Sequence, residues 1–211
     1  MTERPIIMQA ESVLAILDDR KTQTRRVIRP QPTAMDDERR RLSVLSDCPY
    51  GKPGDLLYVK EGWRMALING VSGDGEFATV QFKAGFGVLD YRRDWRTFYA
   101  DLLEKERNWR ATETGILFGR WRSPLHMPKR FARLWLLLTD VRVERVQDIS
   151  HHDALAEGVA YDVSKPDGAP LPRFRVLWDS INAKRGYGWD TNPGVRVLTF
   201  EKAPHGAREQ A

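Results

Sequence analysis

The chain has 211 residues, 41% of them hydrophobic and seven of them tryptophan, which is enough apolar material to bury a core and argues against a disordered chain. Its formal net charge of +5 favours polyanionic partners such as nucleic acids. No apolar run approaches the roughly 18 residues of a spanning helix, the first residues lack a secretory signal, and the lone Cys48 excludes an intrachain disulfide. We therefore expect a cytoplasmic protein with no membrane partner.

A short amphipathic helix is predicted over residues 11–19, because four apolar side chains recur there at helical spacing. Five cations follow within ten residues that contain no carboxylate. We call this segment the basic window, and its cations are Arg20, Lys21, Arg25, Arg26 and Arg29. Such a concentration of charge predicts binding of a nucleic acid or nucleoside, and the alternative is an ordinary solvated loop.

A turn at Lys52–Asp55 precedes a predicted strand from Leu56 to Glu61. Glu61 and Trp63 place a carboxylate and an aromatic ring at the end of this strand, where a polar contact or base stacking is plausible. Packing in the core is the alternative for Trp63. Residues from about 64 to 120 lose periodicity and collect glycines, which predicts an insertion built from a hairpin and a helix.

The best strand signal runs from Leu134 to Val146, an apolar run that becomes alternating. Ser150 then occupies the N-cap position of a short helix, with Asp153 three residues later as in a capping box. Gly158 is placed to end this helix.

Apolar residues after Pro172 recur at spacings of three, four and seven, which predicts an amphipathic helix with proline in its first turn. A last strand is expected over Gly194–Glu201, and residues 202–211 resemble a frayed tail. Short helices without regular strand–helix alternation favour an α+β fold with a small barrel or strongly bent sheet. The length suits a single domain over residues 1–211.

The segment Asp18-Asp19-Arg20-Lys21-Thr22-Gln23-Thr24-Arg25-Arg26 resembles the ASCH domain family, a branch of the PUA-like β-barrels. Further segments that resemble phage and bacterial members lie at 54–63, 123–128, 140–158 and 174–189. The resemblance implies a PUA-like small β-barrel with flanking short helices and a large insertion. Family members are RNA-binding modules, ribonucleases, or amidohydrolases that deacylate N4-acetylcytidine.

By the same resemblance, the amidohydrolase branch implies catalytic roles for Lys21, Thr24 and Glu157. Amide hydrolysis needs a nucleophile, a proton acceptor and stabilisation of the oxyanion, and these three side chains could supply them. A desolvated lysine near other cations can accept a proton, and Thr24 could then attack or orient a water. Lys21 and Thr24 are three residues apart, so a shared site requires a turn or helical bend.

We expect no metal and no cofactor, because His151 and His152 are adjacent rather than one helical turn apart and one cysteine makes no thiolate cluster. The predicted function is an ASCH-type hydrolase of a modified nucleoside or base, with Arg20, Arg25, Arg26 and Arg29 holding the substrate. The alternative is a non-catalytic RNA-binding module or a single-strand ribonuclease that uses the same basic cleft.

Overall fold

The structure is a computed structural model that describes residues 1–32, 38–69, 76–86, 110–112, 116–161 and 169–203. Its helices and strands, in chain order, are β1 (Glu3–Ile7), α1 (Ala10–Leu17), β2 (Gln23–Val27), α2 (Glu38–Ser46), β3 (Leu56–Lys60), β4 (Trp63–Asn69), β5 (Glu76–Phe82), β6 (Gly85–Phe86), β7 (Arg110–Ala111), β8 (Ile116–Phe118), β9 (Trp135–Arg145), α3 (His151–Ala156), α4 (Pro170–Asn182) and β10 (Gly194–Lys202). Among these helices, none combines the length and the apolar character needed to cross a membrane.

The strands form two five-stranded sheets, so the predicted α+β class is confirmed. The first sheet has the order β1-β3-β9-β10-β2, and the second has the order β6-β5-β4-β8-β7. In the described residues, the first and last strands of each sheet do not pair with each other. Neither sheet is therefore seen to close into the predicted small barrel.

Most of the elements predicted from periodicity are present at nearly the predicted positions. The strand predicted over Leu134–Val146 is β9, the helix predicted over residues 11–19 is α1, and the last predicted strand is β10. The segment predicted to be an insertion contains a hairpin, since β4 and β5 pair antiparallel from Trp63↔Phe82 to Asn69↔Glu76. The helix expected there and most of the predicted tail lie outside the described residues.

The chain divides into two compact units. The first contains residues 1–4, 14–57 and 135–211, and the second contains residues 5–13 and 58–134. The second unit therefore begins before residue 64, where the insertion was predicted to start, and it includes Glu61 and Trp63. The remaining predicted site residues belong to the first unit.

Helices α3 and α4 cover one face of the first sheet, and apolar side chains lie on that face beneath them. Val195 and Val197 of β10 pack there against Phe174 and Trp178 of α4 in a cluster of buried side chains. Each such side chain stabilises the fold by roughly 1.5 to 3 kcal/mol through burial. The spacing of four between the two α4 residues, visible in the sequence, places both on one face of that helix.

The turn before β3 anchors the start of the chain through Asp55, which is buried. Its carboxylate accepts hydrogen bonds from the backbone N–H groups of Thr2, at 2.7 Å, and Lys52, at 3.1 Å. The Thr2 hydrogen bond is the main cause that lowers the pKa of Asp55 to about 2, against an opposing contribution from burial. The preceding Gly54 has a φ of +91°, a backbone conformation that favours glycine in this turn.

The Asp55→Asn variant should lose about 1 to 2 kcal/mol of unfolding free energy at neutral pH, because it removes the charged acceptor of these bonds. A depressed carboxyl pKa stabilises the fold above the unfolded-state pKa, so the difference from wild type should shrink as the pH falls from about 4 to about 2. Urea denaturation across this range measures it. Asp190→Asn, at a side chain that is 83% exposed, is the control and should change stability little. A pH-independent loss at Asp55 contradicts this account.

Candidate active site

The end of α1 brings Lys21 to the start of β2. Asp19 adopts a left-handed conformation with a φ of 59°, and the N–H groups of Arg20 and Lys21 both donate to the carbonyl of Ala15, at 2.8 and 3.0 Å. Aspartate tolerates this conformation better than most residues. The reversal ends the helix and turns the chain directly into β2.

The opposite wall of the site is the end of α3. Ser150 caps the helix as predicted, since its hydroxyl accepts a hydrogen bond from the N–H of Asp153 at 3.0 Å. Glu157 is the C-cap, and Gly158 follows with a φ of +84°. A Cβ on Gly158 would stand 2.9 Å from the Cβ of Lys21, so the close approach of the two segments requires glycine.

Lys21 and Glu157 form a buried ion pair across an antiparallel bridge between their backbones. The Lys21 Nζ donates to Glu157 Oε2 at 2.7 Å and to the Glu157 carbonyl at 2.8 Å, and the two side chains are only 3% and 5% exposed. Burial lowers the pKa of Lys21 below its usual value, although Glu157 acts in the opposite direction. The pair explains why a carboxylate stands at a helix C-terminus, where the helix dipole disfavours it.

Arg25 is fully buried and connects β2 to three carboxylates. Its guanidinium donates to Glu144 Oε1 at 2.6 and 3.0 Å and to Glu157 Oε1 at 3.2 Å, and lies 3.4 Å from Asp153 Oδ2. Its carbon Cζ also lies 5.8 Å from the ring centroid of Phe174. Arg25 is thereby committed to internal contacts rather than to a substrate phosphate.

A second arginine completes this arrangement. Arg142 on β9 donates to Glu144 Oε2 and to Asp153 Oδ1, both at 3.2 Å. We call the whole set the ion cluster, and its members are the cations Lys21, Arg25 and Arg142 and the carboxylates Glu144, Asp153 and Glu157. With equal numbers of cations and carboxylates, the ion cluster carries no net formal charge.

Asp153 acts both as a helix residue and as a member of the ion cluster. Burial by itself would raise the pKa of its carboxyl group, but hydrogen bonds with the Ser150 and Gln23 side chains and the charges of Arg25 and Arg142 lower it below its usual value. The carboxylate is therefore ionised and holds α3 against the sheet.

Thr24 lies on the other face of β2. This strand pairs regularly with β10, from Val27↔Val195 to Gln23↔Thr199, without the turn or helical bend that a shared site requires. Gln23 and Arg25 contact each other on the ion-cluster face, so alternation directs Thr24 away from it. The structure brings Lys21 and Glu157 together and does not bring Thr24 to them.

The other cations of the basic window differ in exposure. The Arg20 side chain is 49% exposed and donates to the Gly158 carbonyl at 3.2 Å and to Asp18 at 3.1 Å. Arg29 is exposed, and its Cζ lies 4.9 Å from the ring centroid of Tyr187. Arg26 is partly buried, and burial lowers its pKa. Arg20 and Arg29 are thus the most exposed cations of the window.

Glu61 and Trp63 have structural contacts within the second unit. Glu61 is 1% exposed and pairs bidentately with Arg133, at 2.8 and 3.0 Å. Trp63 is 0% exposed, and its ring lies 5.2 Å from the ring of Phe131. Trp63 therefore occupies the core, the alternative that the sequence left open.

A cavity of about 160 Å³ lies beside the start of β2. Lys21 is the member of the ion cluster that lines it. The other lining residues are Ile16, Asp19, Thr22, Phe200, Glu201 and Lys202. Within the described part of the chain, no group of three or more histidine, cysteine or acidic residues is arranged to hold a metal ion.

Sequence reasoning missed three members of the ion cluster, namely Arg142, Glu144 and Asp153. Arg142 and Glu144 alternate with valines on β9, a pattern that signals one polar face on a strand but not what that face meets. Asp153 was assigned only its capping position. The sequence matches no protein-family model, and searches of curated proteins and of solved structures give no significant match.

Replacing Arg25 by Met should lower the unfolding free energy by about 3 to 5 kcal/mol, because buried carboxylates lose their shared cation. Urea denaturation measures the loss. Arg175→Met is the matched control, since Arg175 is also an arginine paired with a carboxylate, that of Asp190, but its side chain is 49% exposed. Its loss should stay below about 1 kcal/mol. Equal losses in the two variants contradict a stabilising role for burial of the ion cluster.

Proposed function

We propose that the protein is an ASCH-type hydrolase, related to the PUA-like barrels, that cleaves the exocyclic amide of an N4-acylcytidine-like nucleoside or base. The observation that carries the proposal is the buried Lys21–Glu157 ion pair, with its Nζ–Oε2 distance of 2.7 Å, at a residue that also lines a cavity. A paired lysine and carboxylate of this kind can move a proton during hydrolysis.

In the proposed reaction, Lys21 transfers a proton from the attacking water to the leaving nitrogen. A water adds to the amide carbonyl carbon and gives a proton to the neutral Lys21 amine, and Glu157 stabilises the resulting ammonium. The carbon–nitrogen bond then breaks, and the exocyclic nitrogen takes a proton from Lys21. The products are a carboxylic acid and the free 4-amino group.

Water is the nucleophile in this proposal, because Thr24 is directed to the other face of β2. Arg20 is the cation best placed to hold the substrate, since it is exposed and donates to Gly158, next to Glu157. Arg25 keeps a positioning role, because its contact with Glu157 Oε1, at 3.2 Å, orients the carboxylate of the pair.

Binding of single-stranded RNA, with or without ribonuclease activity, is the second candidate. The observation that favours it is Arg29 beside Tyr187, a cation and an aromatic ring at the edge of the basic window. The two functions differ in how binding affinity depends on salt. The affinity for RNA falls steeply as the salt concentration rises, whereas the affinity for a neutral nucleoside does not.

Lys21→Met and Glu157→Gln should each lower kcat/KM for N4-acetylcytidine by roughly 10²- to 10⁴-fold, the usual contribution of a general acid–base group. Release of cytidine, followed by chromatography, measures this. Thr24→Val is the matched control, because Thr24 is as buried as Lys21 and lies only three residues from it, and it should retain activity within about threefold. Circular dichroism verifies that each variant folds.

Three results would contradict the proposal or its details. If the wild-type protein releases no cytidine, or if Lys21→Met keeps full activity, the hydrolase is excluded. A large loss in a folded Thr24→Val variant would instead restore the threonine nucleophile that the resemblance implies.

The pH profile of kcat/KM should show a rising limb that belongs to Lys21. Because burial lowers the pKa of this amine, the neutral form that accepts a proton becomes available below the usual lysine range, and activity increases as the pH rises through that pKa. Lys21→Arg keeps the positive charge but does not deprotonate, so this limb should disappear. A limb that persists unchanged in Lys21→Arg assigns it to another group.

A further inference from the structure

The second unit contains a basic segment that is longer than the basic window. Residues 115–134 include no aspartate or glutamate, but they include five cations, Arg120, Arg122, Lys129, Arg130 and Arg133. Aromatic residues are interleaved with these cations, at positions 118, 121 and 131. Basic charge with interleaved aromatic rings is the composition of single-stranded nucleic-acid binding surfaces.

The β4–β5 hairpin has one core face and one outer face. Trp63, Met65 and Phe82 are at most 1% exposed, so they define the core face. Arg64 lies between the first two on β4 and pairs across the strands with Gln81, so these two residues lie on the outer face.

Trp121 is held on this outer face by cations. Its side chain is 42% exposed, and the Cζ of Arg64 lies 4.6 Å from its ring centroid and 3.8 Å from that of Phe118. Lys83 Nζ lies 5.8 Å from the Trp121 ring. The guanidinium between two rings restricts the indole before any ligand arrives, which reduces the entropy lost on binding.

The charges of this surface are available to an anion. Arg64 donates a side-chain hydrogen bond to Gln81, a neutral acceptor that leaves its positive charge uncompensated by that contact. Lys83 and Arg120 are exposed, and Arg120 is the sequence neighbour of Trp121. We call this set the Trp121 surface, and its members are Arg64, Gln81, Lys83, Phe118, Arg120 and Trp121.

We propose that the Trp121 surface binds single-stranded nucleic acid, with a base stacked on the exposed indole and phosphates contacted by Lys83 and Arg120. An aromatic platform bordered by cations matches the alternation of flat bases and phosphates along a single strand. A folded duplex hides the faces of its bases, and an acidic peptide offers charge without the stacking partner. The proposal is independent of hydrolysis at Lys21.

The full-length protein is titrated into a fluorescein-labelled oligouridylate of about 12 nucleotides, and fluorescence anisotropy gives the affinity at about 50 and 200 mM salt. Trp121→Ala should weaken binding by roughly 5- to 100-fold, as the loss of one stacked base predicts. Trp121→Phe should retain most of the affinity, because it preserves an aromatic face.

A charge-matched pair of variants tests the cations. The double variant Lys83→Ala/Arg120→Ala should make the plot of log affinity against log salt less steep by about 1.4. This is the value expected for two lost phosphate contacts on a single strand. Lys184→Ala with Arg185→Ala removes the same charge from an exposed segment of the first unit and should leave the slope nearly unchanged. Lys21→Met should also bind the oligonucleotide normally, which separates this test from the test of hydrolysis.

The proposal is overturned if Trp121→Ala binds as the wild type does, or if the two double variants lose affinity equally. It is also overturned if polyglutamate competes as well as the oligonucleotide does, because that result shows charge attraction without base stacking.

Discussion

A guanidinium buried without partners costs several kcal/mol, and Arg25 avoids that cost only because two separate segments supply three carboxylate acceptors. Glu144 comes from β9, while Asp153 and Glu157 come from α3 and its C-cap. The position of α3 over the sheet is thus set by charge as well as by apolar packing. Lys21 depends on the same arrangement, because Arg25 and Lys21 share the carboxylate of Glu157.

Local patterns in the sequence were sufficient to predict several of the helices and strands. The apolar run of β9, the serine cap of α3 and the spacing of Phe174 and Trp178 on α4 each involve neighbours within a few residues, where helix and strand geometry decide the outcome. Glu157 stands at the end of α3, where the helix dipole disfavours a carboxylate, and its ion pair with Lys21 accounts for that position.

Local patterns in the sequence could not predict contacts between residues that are far apart in the chain. The orientation of Thr24 depends on the register of β2 with β10, and the neutralisation of Arg25 depends on residues 119 and 132 positions away. The division into two units and the burial of Trp63 likewise follow from tertiary packing. A concentration of positive charge in the sequence therefore did not reveal that two of its five cations face inward and are compensated.

Lys21 and Glu157 are separated by 136 positions in the chain, which has a consequence for synthesis of the protein. At about 5 to 20 residues per second, a ribosome needs roughly 7 to 27 seconds after making Lys21 before Glu157 exists. Until Glu144 is made, which takes up most of that interval, the basic window has none of its native carboxylate partners from β9 and α3. Uncompensated like charges on neighbouring nascent chains repel one another, and this repulsion opposes their association until the carboxylates are in place.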